Sequence, residues 1–239
     1  MFFKKNKKVE IDSSNLPNHV AFICDGNRRW ASSRGLPKLL GHKEGAEAIK
    51  RIIKRAAEIN LKNITFFGFS TENFNRSDEE KTYLFNIFRE FSKLSDGIIN
   101  RGYKFVHVGD KSLLPIDLAE KLTSLENETK NGDKGTVRVA LAYGGRHDIV
   151  CAAKKIIEQN IDPKDITEES FKKFLSTADM PDVDLLVRTS GEQRISGFLL
   201  YNMAYAELYF VKKHWPDFKG ADLDNCILEY QSRHRRFGK

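Results

Sequence analysis

Cysteine is scarce: three residues in 239, at positions 24, 151 and 226. They are odd in number, widely spaced and without a Cys-x-x-Cys pair, so neither a disulfide framework nor a zinc site is suggested, and a reducing, cytoplasmic setting is expected. Long apolar runs are missing too. No window of about 18 apolar residues occurs, and the N-terminal MFFKKNKKVE carries charge with no apolar stretch behind it, which argues against membrane spanning and export. The phosphate-binding signatures GxxxxGK[ST] and GxGxxG are absent, which removes direct support for a P-loop or dinucleotide fold. No DDxxD-like pair of acids is present to gather metal ions around a diphosphate. Internal repeats, low-complexity tracts and linkers are also lacking, which favours one domain.

What the chain does have is enough apolar residue, 40%, for one sizeable core, and a net charge of +7. That charge suits nucleic acid, anionic lipid headgroups or phosphorylated small molecules, and does not choose among them. Residues 1–15 read as a flexible basic tail, either solvated or touching a membrane electrostatically, and 16–239 as the domain. Five short apolar segments end in turn or polar residues, as strands buried on both faces of a parallel sheet do: Val20–Cys24, Ile64–Phe69, Phe105–Val108, Thr136–Ala142 and Val183–Val187. Between them the spacing predicts amphipathic helices over Gly41–Ile59, from Ser77 onward, over His147–Glu158 and around Glu168–Ser176. Ser77 with Glu80 forms a capping box, so Asp78, Glu79 and Glu80 read as first-turn helix acids and not as a metal motif. Leu84, Ile87, Phe88, Phe91, Leu94 and Ile98 form a bulky stripe that is either core packing or the wall of a lipophilic pocket. Asn127–Gly135 reads as a surface loop. The alternation of strand and helix implies an α/β fold, a mostly parallel central sheet with helices on both faces and ligands at the carboxyl ends of the strands.

Three polar clusters follow strand ends. After the first strand come Asp25, Gly26, Asn27, Arg28, Arg29 and Trp30. A glycine turn entering a helix can nest phosphate oxygens, and an adjacent carboxylate can hold Mg²⁺; the alternative is a strand-end turn with solvated arginines. His42, at the start of the next helix, is placed to donate to an anion or to serve as a cap. After the second strand, Ser70, Thr71, Glu72, Asn73, Phe74, Asn75 and Arg76 form either a polar loop or a seat for a substrate's reacting end. After the fifth, Arg188, Thr189, Ser190, Gly191, Glu192, Gln193, Arg194, Ile195 and Ser196 offer two guanidinium forks and hydroxyls to a second anion. Two phosphate sites on one sheet edge point to two phosphorylated substrates.

The stretches DGNRRW, GHKEG, FSTENFNR, AYGGRHDIV and VDLLVRTSGEQRISGFLLYNMAYAELYF together resemble the cis-prenyltransferases, specifically the bacterial undecaprenyl diphosphate synthases, from about Leu16 to Gly238. The resemblance implies a homodimer of a parallel-sheet domain with a hydrophobic tunnel opening at the strand carboxyl ends. Asp25 would be the essential carboxylate engaging Mg²⁺, with Glu207 the second acid near the metal. Gly26, Asn27, Arg28, Arg29 and His42 would cradle the diphosphate of farnesyl diphosphate, and Arg188, Arg194 and Ser196 that of isopentenyl diphosphate. Asn73 and Arg76 match the family's catalytic loop, where Phe74 stands in place of a common tryptophan. Arg236, Phe237 and Gly238 match an ending that reaches the active site across the dimer. Lys38 replaces a common arginine at the primer phosphates, losing the bidentate fork, and Gln193 replaces a histidine that some members carry.

The implied chemistry is repeated attack of the isopentenyl alkene on the allylic carbon as diphosphate leaves, giving a long-chain Z-polyprenyl diphosphate, undecaprenyl or shorter, for cell-wall polysaccharide assembly. The base is Asp25, the Ser70–Asn73 loop or the released diphosphate. A peripheral contact with the inner face of the membrane would serve product release. Retention of Asp25, Arg76, Arg188, Arg194 and Glu207 argues against a non-catalytic partner subunit. Nucleic acid is not expected as a partner, because the cations sit at turns beside carboxylates and no RNA-binding motif is legible.

Overall fold

In the computed structural model, which describes residues 10–91, 98 and 101–233, six parallel strands form one sheet. These are β1 (His19–Ile23), β2 (Asn63–Ser70), β3 (Tyr103–Val108), β4 (Gly135–Tyr143), β5 (Leu185–Arg188) and β6 (Glu207–Phe210), in the order β3-β4-β2-β1-β5-β6. The five expected strands are all present within a residue or two of their expected bounds. The sixth, β6, lies in a stretch whose Glu207 had been read for its acid. It forms the sheet's edge and is only partly buried.

β1 is buried along its whole length because it pairs on both sides, with β2 and with β5. Its alternation feeds two cores: Val20 and Phe22 enter the larger one, Ala21 and Ile23 the smaller. The larger core lies beneath α2 (Lys38–Glu58), α3 (Asp78–Phe91), α4 (Ile116–Thr129) and α7 (Gly220–Ser232), which contribute residues such as Ile52, Phe88, Leu122 and Ile227. The smaller packs Phe198, Leu199, Met180 and Met203 on the opposite face. On that side α5 (Gly145–Glu158) is tied to the covering segment where Gly145 N–H donates to the Gly197 carbonyl at 2.8 Å. Two further helices among the described residues, α1 (Asn27–Ser32) and α6 (Glu168–Lys172), are short.

Helix α2 begins at Lys38, three positions before the expected start, because Pro37 sits at its N-cap and fixes the turn. Helix α4 occupies a region expected to hold only a loop from Asn127 onward. Of the bulky stripe, Leu84, Phe88 and Ile98 are buried in the larger core, while Leu94 and the Phe91 side chain lie outside the described residues. So do residues 1–9 of the expected tail and Arg236, Phe237 and Gly238. The rest of that tail is anchored: Gln231 on α7 donates to the carbonyls of Asp12 and Asn15 at 2.7 and 3.0 Å. Among the described residues no helix is long and apolar enough to cross a membrane.

The winding reverses at β1, with β2 on one side and β5 on the other, so the loops that follow these strands open onto one crevice. Their ends are level, since Ile23 pairs with both Phe67 and Arg188. A register shift in β2 between Phe67 and Ser70 departs from strict alternation: Phe69 turns into the larger core and Ser70 reaches the crevice.

Candidate active site

The first wall of the crevice follows from backbone constraint. Gly26 caps α1 with φ +100°, and a Cβ there would come 2.6 Å from both His214 Nδ1 and Ser190 Oγ. Only glycine allows Asp25 to be presented so close to the β5 loop. Behind it, Gly41 and Gly45 of α2 let Asn27 approach: a Cβ on Gly41 would sit 1.9 Å from the Asn27 carbonyl oxygen. Asn27 Nδ2 donates to the Cys24 carbonyl at 3.3 Å, while its buried Oδ1 has no partner among the described residues.

Asp25 is gripped from two sides. Arg188, only 4% exposed at the end of β5, donates from Nη2 to Asp25 Oδ2 at 2.9 Å and from Nη1 to Ser196 Oγ at 2.8 Å. Arg29 Nη2 lies 3.1 Å from Asp25 Oδ1, and its Nη1 reaches Glu192 at 2.8 Å. Burial pushes the Asp25 carboxyl upward, but the hydrogen bonds and charges of Arg188 and Arg29 outweigh it and hold the group below the usual carboxylate range. The main chain is fixed as well, since Thr189 Oγ1 donates to the Asp25 carbonyl at 2.7 Å and Trp215 N–H at 3.0 Å. Ser196 holds φ +50°, an uncommon conformation for a residue with a side chain, which sets its hydroxyl toward Arg188.

The opposite wall is organised by Glu80. Its Oε1 accepts from Arg76 Nη1 at 2.9 Å, its Oε2 lies 3.5 Å from Arg28 Nη1, and Oε1 lies 3.4 Å from His42 Nε2 without the alignment of a hydrogen bond. Burial, with the charges of Arg76 and Arg28, lowers the His42 pKa; Glu80 opposes this. His42 is therefore a neutral imidazole in the free protein. Asn73 shapes the same wall, with Oδ1 accepting from the Ser70 N–H at 3.1 Å.

Between the walls lies a cavity of about 780 Å³ that brings Asp25, Asn27, His42, Asn73, Arg76 and Arg188 together, with Ser70, Glu72 and Ser196 also on its surface. A shallower annex of about 410 Å³ holds Gly26, Arg28, Arg29 and Lys38 and shares Asp25, His42 and Arg76. An apolar crevice of about 60 Å³ leads off between α2 and α3, lined by Ile49, Leu84, Ile87 and Phe88. It lies where the tunnel was expected. The stripe on α3 thus serves both readings, since Leu84 and Phe88 are core residues that also line the crevice.

Other expected site residues lie apart. Trp30 donates from Nε1 to Asp217 at 2.8 Å beneath the Arg34 guanidinium, and Phe74 packs edge-on against Phe69 in the larger core. Thr71 backs onto Gly144, and Arg194 pairs with Glu192 outside the cavity. Glu207 is also set apart from Asp25. At the start of β6 it pairs with Leu185, itself level with Val20, and its carboxylate takes Arg233 Nη1 at 2.8 Å. Within one chain the sheet keeps Glu207 away from Asp25.

Residues outside the expected set also contribute. The sequence places Glu80 in a helix cap, yet only its N–H serves that role, donating to Ser77 Oγ at 3.4 Å, which frees the carboxylate. Arg146, at the start of α5, lines the main cavity, and the signal for it was its position just after a strand end and two glycines. A Mg²⁺ ion fits the donor set in one way: the hard carboxylate of Asp25, supplemented by phosphate oxygens from a ligand held by the surrounding arginines.

Residues 23–238 match the prenyltransferase family model described as "Putative undecaprenyl diphosphate synthase". An isoprenyl transferase of Fusobacterium nucleatum is 43% identical over 225 residues, covering 94% of this chain and 96% of the relative. One from Aquifex aeolicus is 42% identical over 228 residues, covering 95% and 98%. Among solved structures, lavandulyl diphosphate synthase from Lavandula x intermedia, in complex with dimethylallyl diphosphate, superposes with a TM-score of 0.90 at 37% identity, covering 95% of this chain and all of that one.

Proposed function

The chain belongs to the undecaprenyl diphosphate synthase family of prenyltransferases, and from that premise we propose that it adds isopentenyl diphosphate repeatedly to an allylic primer, farnesyl diphosphate, to give a long-chain Z-polyprenyl diphosphate, with undecaprenyl diphosphate as the leading product. One observation carries the reading. A single cavity holds an ionised carboxylate, two guanidinium groups, an amide and an apolar outlet, namely Asp25, Arg188, Arg76, Asn27 and the crevice below Leu84.

In this reading Arg76, Arg28, Lys38 and His42 seat the primer diphosphate, and Arg188 with Ser196 seats that of isopentenyl diphosphate. Negative charge grows on the leaving diphosphate, and the guanidinium groups are already fixed by Glu80 and Asp25, so little reorganisation is needed as it forms. Mg²⁺, when bound at Asp25, would supply further neutralisation of that charge. The α2–α3 crevice takes the hydrocarbon tail and keeps water from the allylic cation. The proton leaving the condensation intermediate goes to Asp25, to the Ser70–Asn73 loop or to the released diphosphate. A homodimer is part of the proposal: β6 is an open sheet edge with Leu208 exposed, suited to a second copy, whose Glu207 or C-terminal residues would complete the site. A shorter-chain product is a second reading, favoured by the small free volume of the crevice.

The test is incubation with farnesyl diphosphate, radiolabelled isopentenyl diphosphate and Mg²⁺, followed by resolution of products by length. Elongation to long Z-products is expected, with a fall of roughly 100-fold or more in Asp25→Ala. All-trans products, no elongation, or full activity in Asp25→Ala would overturn the reading.

A further inference from the structure

Away from the main cavity, on the β3–β4 side of the sheet, three side chains that no step above uses converge. Asp110 follows β3, and His147 and Cys151 stand one turn apart on α5. Cys151 Sγ lies 3.4 Å from His147 Nε2, which lies 3.5 Å from Asp110 Oδ2, and all three donor atoms fall within 4.8 Å of one another. A tetrahedral ion with bonds of about 2.0–2.1 Å to imidazole, about 2.0–2.2 Å to carboxylate and about 2.3 Å to thiolate separates such atoms by about 3.4–3.6 Å. The two measured edges match those of a tetrahedron.

The donors are also free to serve. Asp110 commits only Oδ1 to capping, accepting from Ser112 N–H and Oγ at 2.9 and 2.6 Å, so Oδ2 remains for a ligand. The neighbouring cation Lys111 is turned away, donating to Glu126 at 2.6 Å and Thr123 at 3.0 Å. All three donors are partly accessible, and they border a cavity of about 440 Å³. Asp148, 7% exposed, also borders that cavity, and its buried Oδ2 has no hydrogen-bond partner among the described residues. Three protein donors with an open fourth position, an unpaired acid and room for water are the elements of a site for a hydrated cation.

We propose that Asp110, His147 and Cys151 bind a borderline-soft divalent metal ion of the Zn²⁺ class, at a site separate from that for Mg²⁺. Thiolate and imidazole select against Mg²⁺, which prefers oxygen donors. Binding exchanges the thiol proton for the metal and releases it to solvent. The ion joins the loop after β3 to the first turns of α5, the helix whose Gly145 and Arg146 line the main cavity, and so holds that wall in place.

Titrating the full-length, reduced protein with Co²⁺ in place of Zn²⁺ tests this. One equivalent is expected to bind with a thiolate-to-cobalt charge-transfer band, displaced by Zn²⁺ and not by millimolar Mg²⁺. The band is lost in Cys151→Ser and kept in Cys24→Ser and Cys226→Ser. His147→Ala and Asp110→Asn weaken binding by about tenfold or more, since even residues that only support a ligand are worth that much. Circular dichroism confirms that each variant is folded, and the two single-ligand variants stand in if Cys151→Ser is not. Absence of the band in the wild type, its survival in Cys151→Ser, or equal displacement by Mg²⁺ overturns the proposal.

Discussion

Glu80 arranges one wall of the cavity, although its sequence context marks it only as part of a helix cap. It neutralises Arg28 and Arg76 in the free protein and raises the otherwise depressed pKa of His42. Glu80→Gln keeps the shape and removes the charge. The His42 titration, followed by ring-carbon NMR, is then expected to move to lower pH, because one of the groups favouring the imidazolium is gone. The apparent KM for the allylic primer should rise roughly fivefold, about 1 kcal/mol, as Arg28 and Arg76 lose their common anchor. An unchanged His42 titration would mean that the pairing is not maintained in solution. At this scale the sequence was informative where chemistry is local: Asp25, Asn27, Arg76, Arg188 and Ser196 share one cavity, and each follows a strand end. It gave only half of the role where main chain and side chain serve different ends, as with the cap and the carboxylate of Glu80, and it was misleading where an aromatic beside the motif turned into the core, as with Phe74. The Asp110–His147–Cys151 cluster could not be read either, because two of its members are brought to the third only by the pairing of β3 with β4 and the packing of α5.

Elements reach the site through tight backbone junctions, of which that between β1 and α1 is the most constrained. Gly26→Ala carries two costs: a left-handed φ of +100°, and a methyl group driven to 2.6 Å from the Ser190–His214 pair, which is itself hydrogen-bonded at 2.7 Å. Strain and overpacking together come to about 3 kcal/mol, or a fall in Tm of roughly 10 °C for a chain of this size, with loss of activity as Asp25 moves. Gly35→Ala is the control. Gly35 also has positive φ, +65°, but a Cβ there meets nothing within 4 Å, so only about 1 kcal/mol of strain is expected. Equal Tm shifts in the two variants, measured by calorimetry, would show that the close approach at Gly26 is unimportant. The inner strands were legible because burial on both faces leaves continuous apolar runs such as VAFI and VALAY. β6 was not, being four residues long, partly buried and at the edge. Helix α7 begins at Gly220 behind Lys219, without a serine, threonine or acidic residue at the cap, and its sequence gives little sign of a start. Helix α4 carries Leu118, Leu122 and Leu125 at helical spacing; that signal was present and was obscured by the polar loop that follows it.

For the whole molecule, buried histidines tie stability to pH. His19 is fully buried beneath the sheet's amino end, with Nδ1 donating to the Pro181 carbonyl at 2.9 Å and Nε2 placed 2.7 Å from the Thr65 hydroxyl, a neutral arrangement. His107, also buried, directs Nε2 at the Leu141 carbonyl at 2.9 Å. Burial lowers the pKa of each to about 4. In the unfolded chain both titrate near 6.5, so between these values the unfolded state holds more protons. Stability is therefore present in full above about pH 6.5 and is lost as pH falls toward 4. Asp148, raised above the usual carboxylate range by burial, takes up a proton on folding and offsets part of this loss at the acid end. Urea denaturation is accordingly expected to show stability falling by about 4 kcal/mol between pH 7.5 and pH 5.5, because His42, whose pKa is also lowered by burial, adds a third group and each contributes about 1.4 kcal/mol over that range. His19→Gln should flatten the slope by about a third, even if the variant is less stable at every pH. A midpoint that does not move over that range, or a His19 resonance that titrates near pH 6.5 in the folded protein, would show that the chain tolerates charge beneath its sheet.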